Sequence, residues 1–151
     1  MTQALTHEQL ERNEVIAEAH RWVGTPFKHD AEVLGGGVDC AHLVNAVYTA
    51  ANRMTHIKFP HYAPDWWKHT SDPEQHIIEN AKLHFKEITA AQAKPGDWVV
   101  LFIGKAWAHC AIIVGDHQVI EAWPTRALVS LVNSREERLY RTHQKRYFTC
   151  W

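Results

Sequence analysis

Cysteine is scarce in this chain, and the way the three residues are spread is informative: Cys40, Cys110 and Cys150 form neither a C-x-x-C pair nor an even framework. That pattern excludes a disulfide scaffold and favours free thiols in a reduced compartment. An excess of charge of one sign is lacking as well. Sixteen Lys and Arg stand against seventeen Asp and Glu, a formal net charge of -1 with no basic block, which argues against nucleic acid and membrane surfaces as partners. No apolar run approaches the roughly 20 residues of a membrane span. Met1 to Glu14 also lacks the apolar core of a signal peptide, so export by a classical signal is not expected. Repeats and low-complexity segments are absent.

What is present suits one domain spanning 1–151: 151 residues, 46% hydrophobic and 22% charged, are enough to bury a core without staples. Thr6-His-Glu-Gln9 reads as a capping box, and Leu10, Val15, Ala19, Trp22 and Val23 make one apolar face, which predicts a helix from about His7 to Trp22. A second helix is expected from Cys40 to about Asn52. Asp72-Pro-Glu-Gln75 reads as the start of a third, with Ile77, Ile78, Ala81 and Phe85 as its buried stripe. Between these, Arg53 to Thr70 has no clear period, and a long irregular loop inside a compact domain is more often functional than idle. Trp66-Trp67 in that loop has two readings, a hydrophobic plug on the core or a wall on which substrate stacks.

After Lys94-Pro-Gly-Asp97 the texture changes to strand-length apolar runs. Trp98 to Ile103, Ala106 to Val114, Gln118 to Trp123, Ala127 to Val132 and Arg146 to Trp151 give about five strands. Gly115-Asp-His117 is expected to be a three-residue hairpin turn, and the charged stretch Ser134 to Gln144 a solvated face. Helices first and an antiparallel sheet second make an α+β domain.

Chemistry centres on Leu34-Gly-Gly-Gly-Val-Asp-Cys-Ala-His-Leu-Val44. Asp39 has the side chain of a helix N-cap, and Leu43, Val44, Val47 and Ala51 follow at helical spacing, which puts Cys40 at the first helical position. A thiol there meets unpaired backbone N–H groups and the positive end of the helix dipole, both of which favour thiolate. The glycines are expected to let a substrate carbonyl approach the sulfur. His109 stands in an otherwise apolar strand, an expensive place for an imidazole without partners. Glu121, the only charged residue of the next strand, lies twelve positions on. With a three-residue turn at Gly115 to His117, odd-numbered residues of both strands share a face, so His109 and Glu121 point the same way; a two-residue turn would part them. Cys40, His109 and Glu121 then form a nucleophile, a base and the group that orients it. The Cys40 N–H is a candidate oxyanion donor. A zinc site built from Cys40, His109, Cys110 and Cys150 lacks ligand spacing, and neighbouring strand residues face opposite ways, so no metal and no cofactor is expected.

On these residues the chain resembles the NlpC-type papain-like cell-wall peptidases, the NlpC/p60 family. The resemblance rests on the glycine run with Asp39-Cys40 opening a helix, the Pro95-Gly-Asp97 step into Val99-Val-Leu-Phe102, and His109 followed by Ala111-Ile-Ile-Val-Gly115. Trp22-Val-Gly-Thr-Pro-Phe27 and Lys28-His-Asp30 look most like the phage-associated branch. The resemblance implies a papain-like core and hydrolysis of an amide in peptidoglycan stem peptides, after D-glutamate at the bond to a diamino acid. It implies Cys40 and His109 as catalytic pair and Asp39 as a binder of the stem peptide's free amine. Phe27, His29, His42, Trp66 and Trp67 are added as candidate substrate-binding residues. Phage tail components would be partners, and bacterial cytoplasm or a phage virion the location. The family's serine and glycine after the cysteine are here Ala41 and His42, and its aromatic hydroxyl near the glycines looks replaced by Phe27, so a substrate-facing hydroxyl is expected to be missing. His42 has two readings, pocket lining or surface. Two rival functions share the fold: a thiol acyltransferase or amidase acting on another substrate, and a binding module that has lost catalysis.

Overall fold

In the computed structural model, which describes residues 2–151, helix α1 (His7–Trp22) begins on the capping box that the sequence supplies. The Gln9 N–H donates to Thr6 Oγ1 at 3.2 Å and the Thr6 N–H to Gln9 Oε1 at 2.7 Å, which satisfies two otherwise orphaned donors. Val15, Ala19 and Trp22 bury the face beneath them. The glycine run then makes a short hairpin of β1 (Glu32–Val33) and β2 (Gly37–Val38), with Gly35 at φ +74° in the turn, a conformation that only glycine adopts cheaply. The glycines therefore turn the chain toward Asp39 and do not line the cleft at Cys40, contrary to the expectation that they admit substrate. Helix α2 (Cys40–Ala50) follows directly and ends two residues earlier than its apolar pattern suggested, where Asn52 takes a left-handed φ of +57°.

A one-turn helix, α3 (Trp66–His69), interrupts the irregular segment. The next helix, α4 (Ile77–His84), starts at Ile77 and not at Asp72, because His76 at φ +65° breaks the helical path and only turns precede it. Ile77, Ile78 and Ala81 are buried as expected. The sheet has six strands, one more than the sequence suggested: β3 (Lys86–Ile88), β4 (Trp98–Ile103), β5 (Ala106–Gly115), β6 (Gln118–Glu121), β7 (Ser130–Asn133) and β8 (Lys145–Thr149). All pairs are antiparallel, in the order β3-β8-β4-β5-β6-β7. The extra strand β3 is a three-residue, mostly exposed edge with no hydrophobic alternation to betray it. β7 starts late because Pro124–Arg126 forms a 3-10 turn closed by Ala127 at φ +63°. A fifth helix, α5 (Arg138–Thr142), lies in the stretch read as solvated; Tyr140 within it is buried.

Even-numbered residues of β4, β5 and β6, such as Trp98, Val100, Cys110, Ile112 and Ile120, pack under α1, α2 and α4. Val99, Leu101, Ala111 and Val119 point the other way and meet Val132 and Tyr140. The Pro95-Gly-Asp97 step ties sheet to helix. Arg12 of α1 donates to Asp97 Oδ1 at 2.9 Å and to the Pro95 carbonyl at 3.2 Å, and it lies over the Trp151 ring at 4.1 Å. Asp97 is fully buried, and its Oδ2 accepts the Lys94 N–H at 2.9 Å. Asp97→Ala is expected to destabilise the fold by about 3 kcal/mol, near the low end for a broken buried pair. The low end applies because Glu8 still neutralises Arg12 at 2.8 Å. Urea unfolding measures this, and a midpoint within error of wild type would refute it.

Candidate active site

Asp39 places Cys40. Its Oδ1 accepts the His42 N–H at 2.9 Å, the N-cap bond that starts α2 and leaves the Cys40 N–H without an intrahelical acceptor. The thiol faces the Ala108 carbonyl of β5 at 3.8 Å. At that point β5 is irregular: Leu101 pairs with His109 but Phe102 with Trp107, so Ala108 is an extra residue. A bulge re-aims the side chain beside it, here His109.

The second irregularity decides whether His109 and Glu121 share a face. The hairpin turn has two residues, Asp116 and His117, because Gly115 pairs with Gln118, and taken alone this would put His109 and Glu121 on opposite faces. Val114, however, is bulged out of the β5–β6 ladder, and one bulge restores the parity that the shorter turn removes: Ala111 pairs with Glu121. His109 Nε2 and Glu121 Oε2 lie 2.7 Å apart, both side chains 1% exposed. The three-residue turn was thus wrong, while the shared face holds for another reason.

The other ring nitrogen, Nδ1, is buried and has no hydrogen-bond partner among the described residues. The imidazole is nonetheless close enough to the Cys40 sulfur for each to shift the other's protonation. The Cys40 thiol is pulled down to about 5, first by the neighbouring Cys110 thiol and, against the cost of burial, by the His109 imidazole. Burial opposes a charged His109, but the neighbouring Cys40 sulfur and the Glu121 carboxylate outweigh that and push it up to about 9. Between those values the pair stands as thiolate and imidazolium.

Cys110 is therefore more than filler. Its thiol, 1% exposed, donates to the Cys40 carbonyl at 3.2 Å. Cys110→Ala removes the thiol beside Cys40 that favours its ionised form, so the pH profile of Cys40 alkylation is expected to move up by about one pH unit, the size of one modest polar contact. An unmoved profile would show that His109 and the helix terminus suffice.

The thiol opens into a cleft. Phe27, His29, Asp39, Trp66 and Trp67 line it beside Cys40 and His109. Trp66 also packs against the core. His42 does not reach the cleft; its Nδ1 is held by Asp39 Oδ1 at 2.8 Å and its ring stacks against Tyr62. Asp39 is saturated. Oδ1 takes both His42 donors, and Oδ2 takes the Asp30 N–H at 2.9 Å and the Tyr62 hydroxyl, which fills the four acceptor positions of a carboxylate. The hydroxyl on Asp39 comes from Tyr62 of the irregular loop, a residue that also lines the cleft. Nothing in Pro60-His-Tyr-Ala-Pro64 signalled that. Trp123, whose ring is 4.5 Å from His109, lies two residues beyond Glu121, just past the end of β6.

The profile described as the NlpC/P60 family matches residues 18–149. This chain belongs to that family. Its fold is similar to the NlpC/p60 domain of the peptidoglycan hydrolase SagA (21% identity, TM-score 0.60, 89% of this chain and 96% of that one). It is also similar to NlpC1 from Trichomonas vaginalis (14%, 0.66), where 91% of this chain matches but it spans only 43% of that protein. A third likeness is to RipD from Mycobacterium tuberculosis (16%, 0.60, 92% and 96%), described as a non-catalytic NlpC/p60 domain protein adapted to peptidoglycan binding. No curated protein sequence matches significantly.

Proposed function

We propose that this NlpC/P60 chain is a cysteine peptidase or amidase that acts, as one catalytic domain over 1–151, on peptidoglycan stem peptides at the D-glutamyl–diamino acid amide. One observation carries the reading: a thiol at a helix N-terminus, coupled to an imidazole whose far nitrogen a buried carboxylate holds at 2.7 Å, at an open aromatic cleft. The Cys40 thiolate attacks the amide carbonyl, and the Cys40 N–H is placed to stabilise the oxyanion. The His109 imidazolium gives its proton to the leaving amine. Water, deprotonated by the now neutral imidazole, then attacks the thioester and releases the acid and Cys40. With Asp39 saturated, recognition of the peptide falls to the aromatic walls. The phage-associated reading, with tail components as partners and cytoplasm or virion as location, rests on Trp22 to Phe27 and Lys28 to Asp30 alone.

A peptidoglycan-binding role of the kind stated for RipD is the alternative, favoured by Ala41 and His42 beside the cysteine. Incubation with defined stem peptides and mass spectrometry of the products separates the two. Hydrolysis at the D-glutamyl bond is expected. Binding without cleavage would support the module, and cleavage elsewhere a different amidase.

A further inference from the structure

The carboxylate that steadies His109 is pulled two ways. Its Oε2 accepts from His109 and from the Tyr140 hydroxyl, while Oε1 accepts from Arg126 Nε at 3.2 Å. Arg126 is partly exposed, and its Nη2 also pairs with Glu137 Oε1 at 2.6 Å. Glu137 is the residue that precedes α5, the helix that carries Tyr140. A ring of contacts therefore closes from Glu121 through Arg126, Glu137 and α5 back to Tyr140. The guanidinium draws the carboxylate toward the surface, and the phenol, 2% exposed, draws it inward. The terminal torsion of a glutamate is soft, so a single donor would leave the group free to swing. Two donors on one oxygen remove that freedom.

We infer that Tyr140 is a positioning residue: by bonding to Glu121 Oε2 against the pull of Arg126, its hydroxyl keeps the carboxylate on His109 and the imidazole turned toward Cys40. Packing alone does not call for the hydroxyl. A phenylalanine would fill the same space between Leu101, Ala111 and Val132, and a buried phenol without a partner is costly. The Tyr140 oxygen is 3.5 Å from His109 Nε2, so its action on the ring runs through the carboxylate. The charged and titratable groups around Glu121 are His109, Tyr140 and Arg126, with Glu137 behind Arg126 and Cys40 beyond the imidazole. This inference rests on the cysteine-hydrolase reading.

The test is Tyr140→Phe in the full chain, with three readouts: hydrolysis of stem peptide, the pH profile of Cys40 alkylation by iodoacetamide, and thermal unfolding. We expect kcat to fall on the order of tenfold, short of the about hundredfold that a 1 Å misplacement costs, with KM nearly unchanged. The alkylation profile should move to higher pH, since a less well held carboxylate stabilises the imidazolium less. Adding Arg126→Ala should recover part of the lost kcat by removing the opposing pull. An unmoved alkylation profile overturns the inference whatever the melting temperature does, because a purely structural tyrosine would alter only the latter. Absence of recovery in the double variant overturns the opposed pull. Alkylation needs no substrate, so failure of wild type to cleave stem peptides would refute the hydrolase reading and still leave Tyr140 decided.

Discussion

Cys40→Ala is expected to abolish hydrolysis, with a loss of at least about 10⁴-fold, while the urea midpoint stays near that of wild type. The size follows from chemistry: without the sulfur no acyl-enzyme forms, and the oxyanion donor and cleft have nothing to act with. The fold should survive because α2 is started by Asp39, whose four hydrogen bonds do not involve the thiol. Cys150→Ser is the cleaner control. Burial pushes the Cys150 thiol up to about 12, and the residue is absent from the cleft. Cys110→Ala should also retain activity, but with a displaced pH profile, since Cys110 touches Cys40. Iodoacetamide near neutral pH should label Cys40 first, because burial pushes both other thiols up. Equal labelling of the three, or loss of activity in Cys150→Ser as complete as in Cys40→Ala, would mean the nucleophile has been misassigned.

Much of this site is readable from the chain because its signals are local. The Asp39 cap, the helical spacing behind Cys40 and the lone imidazole in an apolar strand each follow from a few neighbouring residues. What escaped depends on contacts between distant segments. Tyr62 reaches Asp39 from 23 residues away, out of a loop with no period, and Tyr140 reaches Glu121 from a five-residue helix hidden in charged sequence. A single large aromatic in a stretch such as Arg135 to Gln144 was the available clue, since a solvated face has no use for one. The β5–β6 hairpin teaches something different. Turn length and bulge are separate variables, and alternation fixes only their sum. The shared face of His109 and Glu121 could therefore be reached from an incorrect turn.

Glu121 is where that shared face carries its largest consequence after the nucleophile itself. Glu121→Ala is expected to lower kcat about a thousandfold, an order of magnitude less than loss of the orienting carboxylate costs in a serine triad, because the Cys40 thiolate is also favoured by the helix terminus and Cys110. It leaves His109 Nε2 and the Tyr140 hydroxyl without their acceptor in a buried site, so some stability should be lost as well. Glu121→Gln is the more telling variant. Its amide oxygen can replace Oε2 for His109 and Tyr140, but its NH₂ then faces the Arg126 Nε–H, donor against donor; turned over, it opposes the other two. A smaller loss than in Glu121→Ala is expected, with the charge gone in both. The native carboxylate is held below its ordinary range: burial works against ionisation, and the bond from His109, then Tyr140 and Arg126, more than offset it. Ionised, it favours the imidazolium, so removing it lowers the His109 value from about 9 and raises that of Cys40 from about 5. The active window, which lies above the thiol value and below the imidazole value, should narrow from both sides in a pH–rate profile of kcat/KM. Wild-type rates and an unchanged window in both variants would reduce the triad to a Cys40–His109 dyad with Glu121 as a buried anchor for Arg126.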